Sequence, residues 1–490
     1  MSREARFHPI LYVRGFAMRD REIEDTIHTP YMGFNRGSTR VRQGPGGELH
    51  TFIFESPVVR LMKDYGYRDI YQDGAVHEGE LPSRSLLIHR YYEDAEGRGR
   101  RPSIIEAADD LSARILWLRD RVCGNDSAAR AAFRVYLVAH SMGGLICRCL
   151  LQNEAVGDAE ARACVDKVFT YGTPHDGIEV AGFNVPRFLD VWDIDNFNRE
   201  TMARYLDLEP HDGRVNHLGG RFPPERFFCL VGTNHQDYGA ARLAVGPMSD
   251  GLVTIDNAWV AGAPRVHAYL SHSGRFGMVN SEAGYQNLVR FLFGDARVAG
   301  RLVVEQLPLP PSVQSAREDG ETIEGGYHFE CTVTPRRFPP VALSDRRSAH
   351  GSAVFRRYDE LFHPQRLGLE RARHPVLFSL YLDSSKITVK QGRTMLFVTD
   401  IAVRSTEFKV GGRWFVSRRV PDENLFREQL VILATASSQG WRLRYVLGDE
   451  EWGEGRGKAV SMDEEGKGYV PLRSRKGFQA RLYLDIADWQ

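Results

Sequence analysis

Compact runs of β-branched, leucine and aromatic residues recur through the first 300 residues, at His8–Val13, Ser85–Tyr91, Arg134–Ala139, Lys167–Tyr171, Arg226–Val231 and Arg265–Leu270. Short apolar runs of this kind predict strands buried on both faces. Between them the period lengthens. Ser103 is placed to cap a helix on which Ile104, Ala108, Leu111, Ile115 and Leu118 share one side. A second helix follows Ser281, carries Leu288, Phe291 and Leu292, and stops near Gly294. This alternation predicts an α/β fold, a mostly parallel sheet with helices on both faces. Two stretches interrupt it and read as insertions above the sheet. One is about 19–81, loop-rich around Gly44-Pro-Gly-Gly47, and the other is 174–224, with a helix-like part at 191–208.

The rhythm changes near Asp295–Pro311, where Leu307-Pro-Leu-Pro-Pro311 suits neither a helix nor a central strand. We place a domain boundary there, giving 1–300 and 301–490. Beyond it, His328–Thr334, Val376–Leu382, Met395–Val403, Gln429–Ala434, Trp441–Val446 and Phe478–Ile486 alternate as strands, with a hairpin turn at Val410-Gly-Gly-Arg413. This half predicts an all-β, sandwich-like accessory domain.

Composition changes the picture mainly by exclusion. A chain of 490 residues exceeds one ordinary core and should hold two or three units. Lys plus Arg and Asp plus Glu number 64 each, so no net field gathers nucleic acid or anionic lipid. The apolar run Ile10–Val13 is too short for an export signal, and no uncharged apolar stretch reaches the roughly 20 residues of a membrane span. The expected location is cytoplasmic, with the six cysteines reduced and lacking metal-ligand spacing.

The chemistry-bearing motif is Val135-Tyr-Leu-Val-Ala-His-Ser-Met-Gly-Gly144, a buried strand running into a helix-like Leu145–Leu151. A serine on so tight a strand-to-helix turn needs small residues two places either side, and Ala139 and Gly143 supply them. Such an elbow exposes the Ser141 hydroxyl and aims the Met142 amide at a developing oxyanion. On these residues, together with Lys167-Val-Phe-Thr-Tyr-Gly-Thr-Pro-His-Asp-Gly177, the sequence resembles the bacterial lipases and esterases of the α/β-hydrolase family. The resemblance includes the subgroup with Ala opening the pentapeptide, and it covers about residues 8–295.

A hydroxyl needs a base, and the base an orienting carboxylate; in this fold the chain order is Ser, acid, His. His272 follows the strand Arg265–Leu270 and precedes the last helix, as in the lipase pattern, so it is the expected base. His267 lies inside the strand and is the rival, while His175 is expected at the site rim. Asp250, in Pro247-Met-Ser-Asp-Gly-Leu-Val253, resembles the family's acid loop; Asp237 and Asp256 are its rivals. The second oxyanion donor is expected from Val13-Arg-Gly-Phe-Ala17, at the Phe16 amide, although family members usually carry His-Gly where this chain has Arg14-Gly15.

Gly44-Pro-Gly-Gly47 lacks the strand and Gly-Lys of a phosphate loop. Asp193-Ile-Asp-Asn-Phe-Asn198 lacks the glycine and glutamate of a calcium loop. The amphipathic stretch 183–206 reads equally as a lid or as core packing. The expected activity is hydrolysis of a small-molecule or lipid-like carboxylic ester by a cofactor-free Ser-His-Asp triad. Amidase, thioesterase or acyltransferase chemistry on the same triad, and a non-catalytic binding protein, stay open beside it.

Overall fold

The structure is a computed structural model. It describes residues 7–490 apart from 16–20, 22, 25–37, 44–48, 55, 73–74, 77–78, 95–96, 181–182, 185–193, 237–244, 275, 337–340, 387–393, 412–416, 438–439 and 449–456. The chain divides into two compact units, Met1–Phe293 and Gly294–Gln490, a split a few residues before the boundary read at 300/301.

The first unit is built on seven strands: β1 (Ile10–Val13), β2 (Arg68–Asp69), β3 (Ser85–His89), β4 (Val135–His140), β5 (Val165–Tyr171), β6 (Phe227–Gly232) and β7 (Arg265–Ala268). They form one parallel sheet in the order β7-β6-β5-β4-β1-β3-β2. Every residue of β1, β3 and β6 is buried. Successive strand residues point to opposite faces, so both faces of the sheet are covered. From β1 the chain builds outward to β2 and β3 on one side, then returns to β1's other side at β4. Connections leave β1 and β4 in opposite directions, and open α/β sheets bind ligands at the carboxyl ends of strands so related.

Helices α1 (Pro57–Tyr65), α2 (Ile104–Cys123), α3 (Met142–Gln152), α4 (Arg199–Leu206) and α5 (Glu282–Phe293) belong to this unit. Helix α2 starts as its sequence dictates. The Ser103 hydroxyl accepts from the Glu106 amide at 3.2 Å, and the Ser103 amide donates to the Glu106 carboxylate at 2.7 Å. The stripe Ile104, Ala108, Leu111, Ile115 and Leu118 is buried. The segment read as loop-rich, 19–81, carries more order than expected. It holds a hairpin of Ser38–Gln43 with Leu49–Phe54, the edge strand β2, and α1, which Ser56 caps, Pro57 opens and a left-handed Gly66 closes. Parallel strands with interposed helices and a serine turn after β4 give this unit the α/β-hydrolase fold.

The second unit is antiparallel. Its long strands are β8 (Ala296–Gln306), β9 (Tyr327–Pro335), β10 (Val376–Leu382), β11 (Thr394–Ser405), β12 (Asn424–Ser437), β13 (Gly440–Leu447), β14 (Gly468–Arg473) and β15 (Gln479–Asp488). One sheet runs β10-β8-β15-β14 and continues to Ser461–Met462; the other contains β9-β11-β12-β13. Val298, Leu302, Leu482 and Leu484 of the first sheet share one core with Phe329, Val333, Phe397, Ile401 and Ile432 of the second, which makes the pair a sandwich. Strand β8 lies where the sequence suggested only a boundary. Its inward positions include the small Ala296 and Gly300, which weaken the alternating signal. Gly300 is small because a Cβ there would stand 2.4 Å from the ring of its cross-strand partner Phe378. Among the described residues no helix is long and apolar enough to cross a membrane.

Candidate active site

Strand β4 ends at His140 and α3 begins at Met142, so Ser141 alone makes the turn. Its φ of 54° and ψ of −126° are held by neighbours, since side chains rarely adopt this conformation, which costs on the order of 1–3 kcal/mol. The Ser141 amide donates to the Tyr171 carbonyl at 2.9 Å, and its carbonyl accepts from Thr173 Oγ1 at 2.8 Å. The surrounding glycines are spatial necessities. A Cβ on Gly143 would stand 2.3 Å from the Val13 carbonyl, and one on Gly15 would stand 2.7 Å from Ser141 Cβ. The loop after β1 therefore passes directly against the serine. The Tyr91 hydroxyl donates to the Arg14 carbonyl at 2.6 Å and the Tyr92 hydroxyl to the Gly15 carbonyl at 3.0 Å, fixing that loop.

Three residues from separate strand ends meet at this turn. His272 Nε2 lies 3.0 Å from Ser141 Oγ, and His272 Nδ1 lies 2.9 Å from Asp250 Oδ2. Ser141, His272 and Asp250 are 6%, 3% and 1% exposed, so the relay is shielded and Ser141 is its most accessible member. Asp250 Oδ1 accepts the amides of Leu252 and Val253 at 3.0 and 2.8 Å, so both carboxylate oxygens are committed. The amide of His272 donates to the Asp250 carbonyl at 2.9 Å, which joins the two loops by their backbones as well. A carboxylate on Nδ1 fixes the tautomer in which Nε2 accepts the hydroxyl proton.

Room for this pair is made by glycines that the sequence reading did not single out. Gly172, at the end of β5 with φ of 53°, has its Cβ position 3.0 Å from Asp250 Oδ2 and 3.1 Å from His272 Nδ1. Gly232, at the end of β6, has its own 2.7 Å from Asp250 Cβ. The signal was present in Gly-Thr-Pro, but a glycine after a strand usually reads as a turn.

The other candidates fall elsewhere. His267 is buried within β7, and Asp256 sits exposed in the short helical turn Ile255–Asn257. Asp237 and Phe16 lie outside the described residues. Met142 is the first residue of α3, where an amide has no acceptor within its own helix. His175, expected at the rim, is instead wholly buried against Thr170 and the ring of Phe227. Burial, then the nearby Arg148, hold its imidazole well below the ordinary value. Arg148 donates to the His175 carbonyl at 2.7 Å.

The insertion 174–224 is anchored from below. Buried Arg148 also donates to the Val215 and His217 carbonyls, and buried Asp176 pairs with Arg199 and Arg214 at 3.0 Å each while accepting the Val215 amide at 2.7 Å. Of the stretch 183–206, residues 185–193 lie outside the described residues, and α4 buries Met202, Tyr205 and Leu206.

No family model matches the sequence, and no curated protein matches it. Among solved structures, the chain is similar to the lipase BlEst2 of Bacillus licheniformis in propeptide form, at 12% identity over 90% of this chain and 96% of that one, with a TM-score of 0.31. It is similar to the phospholipase PlaB of Legionella pneumophila in complex with thio-NAD, at 12% identity over 81% and 84%, with a TM-score of 0.31. The metagenomic carboxyl esterase MGS0156 matches at 12% identity over 54% and 64%, also with a TM-score of 0.31.

Proposed function

We propose that this protein is a serine hydrolase that cleaves carboxylic esters through an acyl-enzyme, with Ser141 as nucleophile, His272 as base and Asp250 as its orienting acid. The observation that carries the reading is the relay of 3.0 and 2.9 Å from Ser141 Oγ through His272 to Asp250, set on a strained turn. Each contact has a chemical role. As Ser141 Oγ attacks the ester carbonyl, His272 Nε2 takes its proton, and Asp250 stabilises the imidazolium that forms. The Met142 amide, with the Phe16 amide proposed beside it, stabilises the oxyanion. When the tetrahedral intermediate collapses, the proton passes from His272 to the departing alkoxide and Ser141 keeps the acyl group. Water, deprotonated by the same imidazole, then releases the acid and restores the serine. No step needs a cofactor. The substrate class is a small-molecule or lipid-like ester, and the sandwich unit is an accessory domain.

Replacing Ser141 by Ala should abolish p-nitrophenyl butyrate hydrolysis and labelling by a fluorophosphonate probe while leaving the circular dichroism spectrum unchanged. An Ala variant that still turns over the ester would end the assignment. Asp250→Asn should lower kcat by roughly 10⁴, because the amide favours the wrong imidazole tautomer. Added alcohol separates hydrolysis from acyl transfer, since an acyltransferase would divert most of the product to the new ester.

A further inference from the structure

His140 precedes the nucleophile and stands outside the three-residue relay, yet its Nε2 lies 3.0 Å from the carbonyl oxygen of His272. The two rings are 4.9 Å apart between centroids. A carbonyl can only accept, so Nε2 carries the proton and Nδ1 is bare. Four contacts among the described residues thus hold His272. Its ring spans Ser141 and Asp250, its amide donates to the Asp250 carbonyl, and its own carbonyl accepts from His140. Three of the four come from its relay partners. The fourth comes from the residue bonded to the nucleophile, and it ties the end of β4 to the loop after β7 across two intervening strands.

That tie suits an uncharged donor. A cation at His140 would stand beside the imidazolium formed on His272 when Ser141 gives up its proton. Burial first, and then the charge of His272, push the His140 imidazole down to about 3, so it is uncharged at neutral pH.

We propose that His140 is a positioning residue, whose Nε2–H holds the His272 carbonyl and so sets the reach of the His272 ring to Ser141 Oγ. The proposal rests on Ser141 and His272 being nucleophile and base. A misplacement of about 1 Å at such a site costs about 10²-fold in rate.

Two variants separate the donor from the bulk. His140→Phe fills the space without an N–H, and His140→Gln supplies one. The measurements are kcat and KM for p-nitrophenyl butyrate, and the far-downfield proton resonance of His272 Nδ1–H in its bond to Asp250. With Phe, kcat should fall about 10- to 100-fold with KM within about twofold, and the resonance should broaden or vanish. With Gln, both should largely return. If Phe disturbs folding, His140→Leu gives the same comparison. A Phe or Leu variant that keeps the resonance and kcat, or a Gln variant as impaired as Phe, overturns the proposal. The resonance decides this even without turnover, whereas a wild-type protein that neither turns over esters nor labels at Ser141 sinks the hydrolase reading instead.

Discussion

The amide of Ser141 donates to the carbonyl of Tyr171 at 2.9 Å, so the left-handed serine hangs from the strand next to its own. Relaxing that backbone should stabilise the fold. Glycine adopts positive φ freely but adds about 0.5–1 kcal/mol of unfolded-chain entropy, against strain on the order of 1–3 kcal/mol. Ser141→Gly should therefore be more stable than Ser141→Ala by about 1 kcal/mol in urea unfolding. A glycine variant that melts below the alanine variant would mean the turn stores no strain.

Gly172 gives a complementary test. A methyl group there would enter the space between the Asp250 carboxylate and the His272 ring, on a backbone with φ of 53°. Gly172→Ala should lose about 1–2 kcal/mol of stability and at least tenfold in kcat. Unchanged kinetics would show that the dyad tolerates displacement.

How far the sequence carried the structure follows from which signals are local. The six strands expected in the first unit all formed, because each is a compact apolar run with a turn after it. The elbow was legible for the same reason, since Ala139, Ser141 and Gly143 lie within one pentapeptide. The meeting of Ser141, Asp250 and His272 depended on chain order, which the fold supplies. The contributions of Gly172, Gly232 and His140 were illegible. Each depends on a neighbour brought close by the sheet, and nothing in the adjacent residues announces it. Strand β8 was missed because its inward Gly300 is explained only by the Phe378 ring opposite. His175 was misplaced because a histidine beside the elbow's neighbouring strand looks functional until its burial is known.

Asp176 bears on the insertion above the sheet. Its buried carboxylate holds Arg199, Arg214 and the Val215 amide together. Asp176→Asn leaves Arg214 facing an uncharged group and Arg199 paired with Glu179, and should cost about 1–3 kcal/mol. Limited proteolysis should then cut within 174–224 before anywhere else in the first unit. Cleavage unchanged in site and rate would remove the carboxylate as the anchor.

Acid should weaken the fold through buried neutral histidines. Burial pushes His89 down to about 3 from an ordinary 6.5, and His175 shifts the same way. Below about 6.5 the unfolded chain binds protons that the folded chain refuses, so stability falls as pH drops from there towards 3. His89 alone should remove about 2 kcal/mol between pH 7 and pH 5. His89→Gln, which keeps a donor for the Ala107 carbonyl, should flatten that slope in urea titrations at the two pH values. An equally steep slope in the variant would assign the acid loss to other groups.

Ser141 leaves β4, Asp250 follows β6 and His272 follows β7, while β5 stands between with Gly172 at its tip. Adjacent strands lie about 4.8 Å apart, so the spacing of Ser141, His272 and Asp250 is inherited from four strands in register. In the proposed mechanism, nucleophilicity is then a property of the assembled sheet, absent from any fragment that lacks one of β4, β6 and β7. During refolding, the onset of fluorophosphonate reactivity would time the docking of the last strand, β7, as a chemical clock separate from spectroscopic measures of compaction.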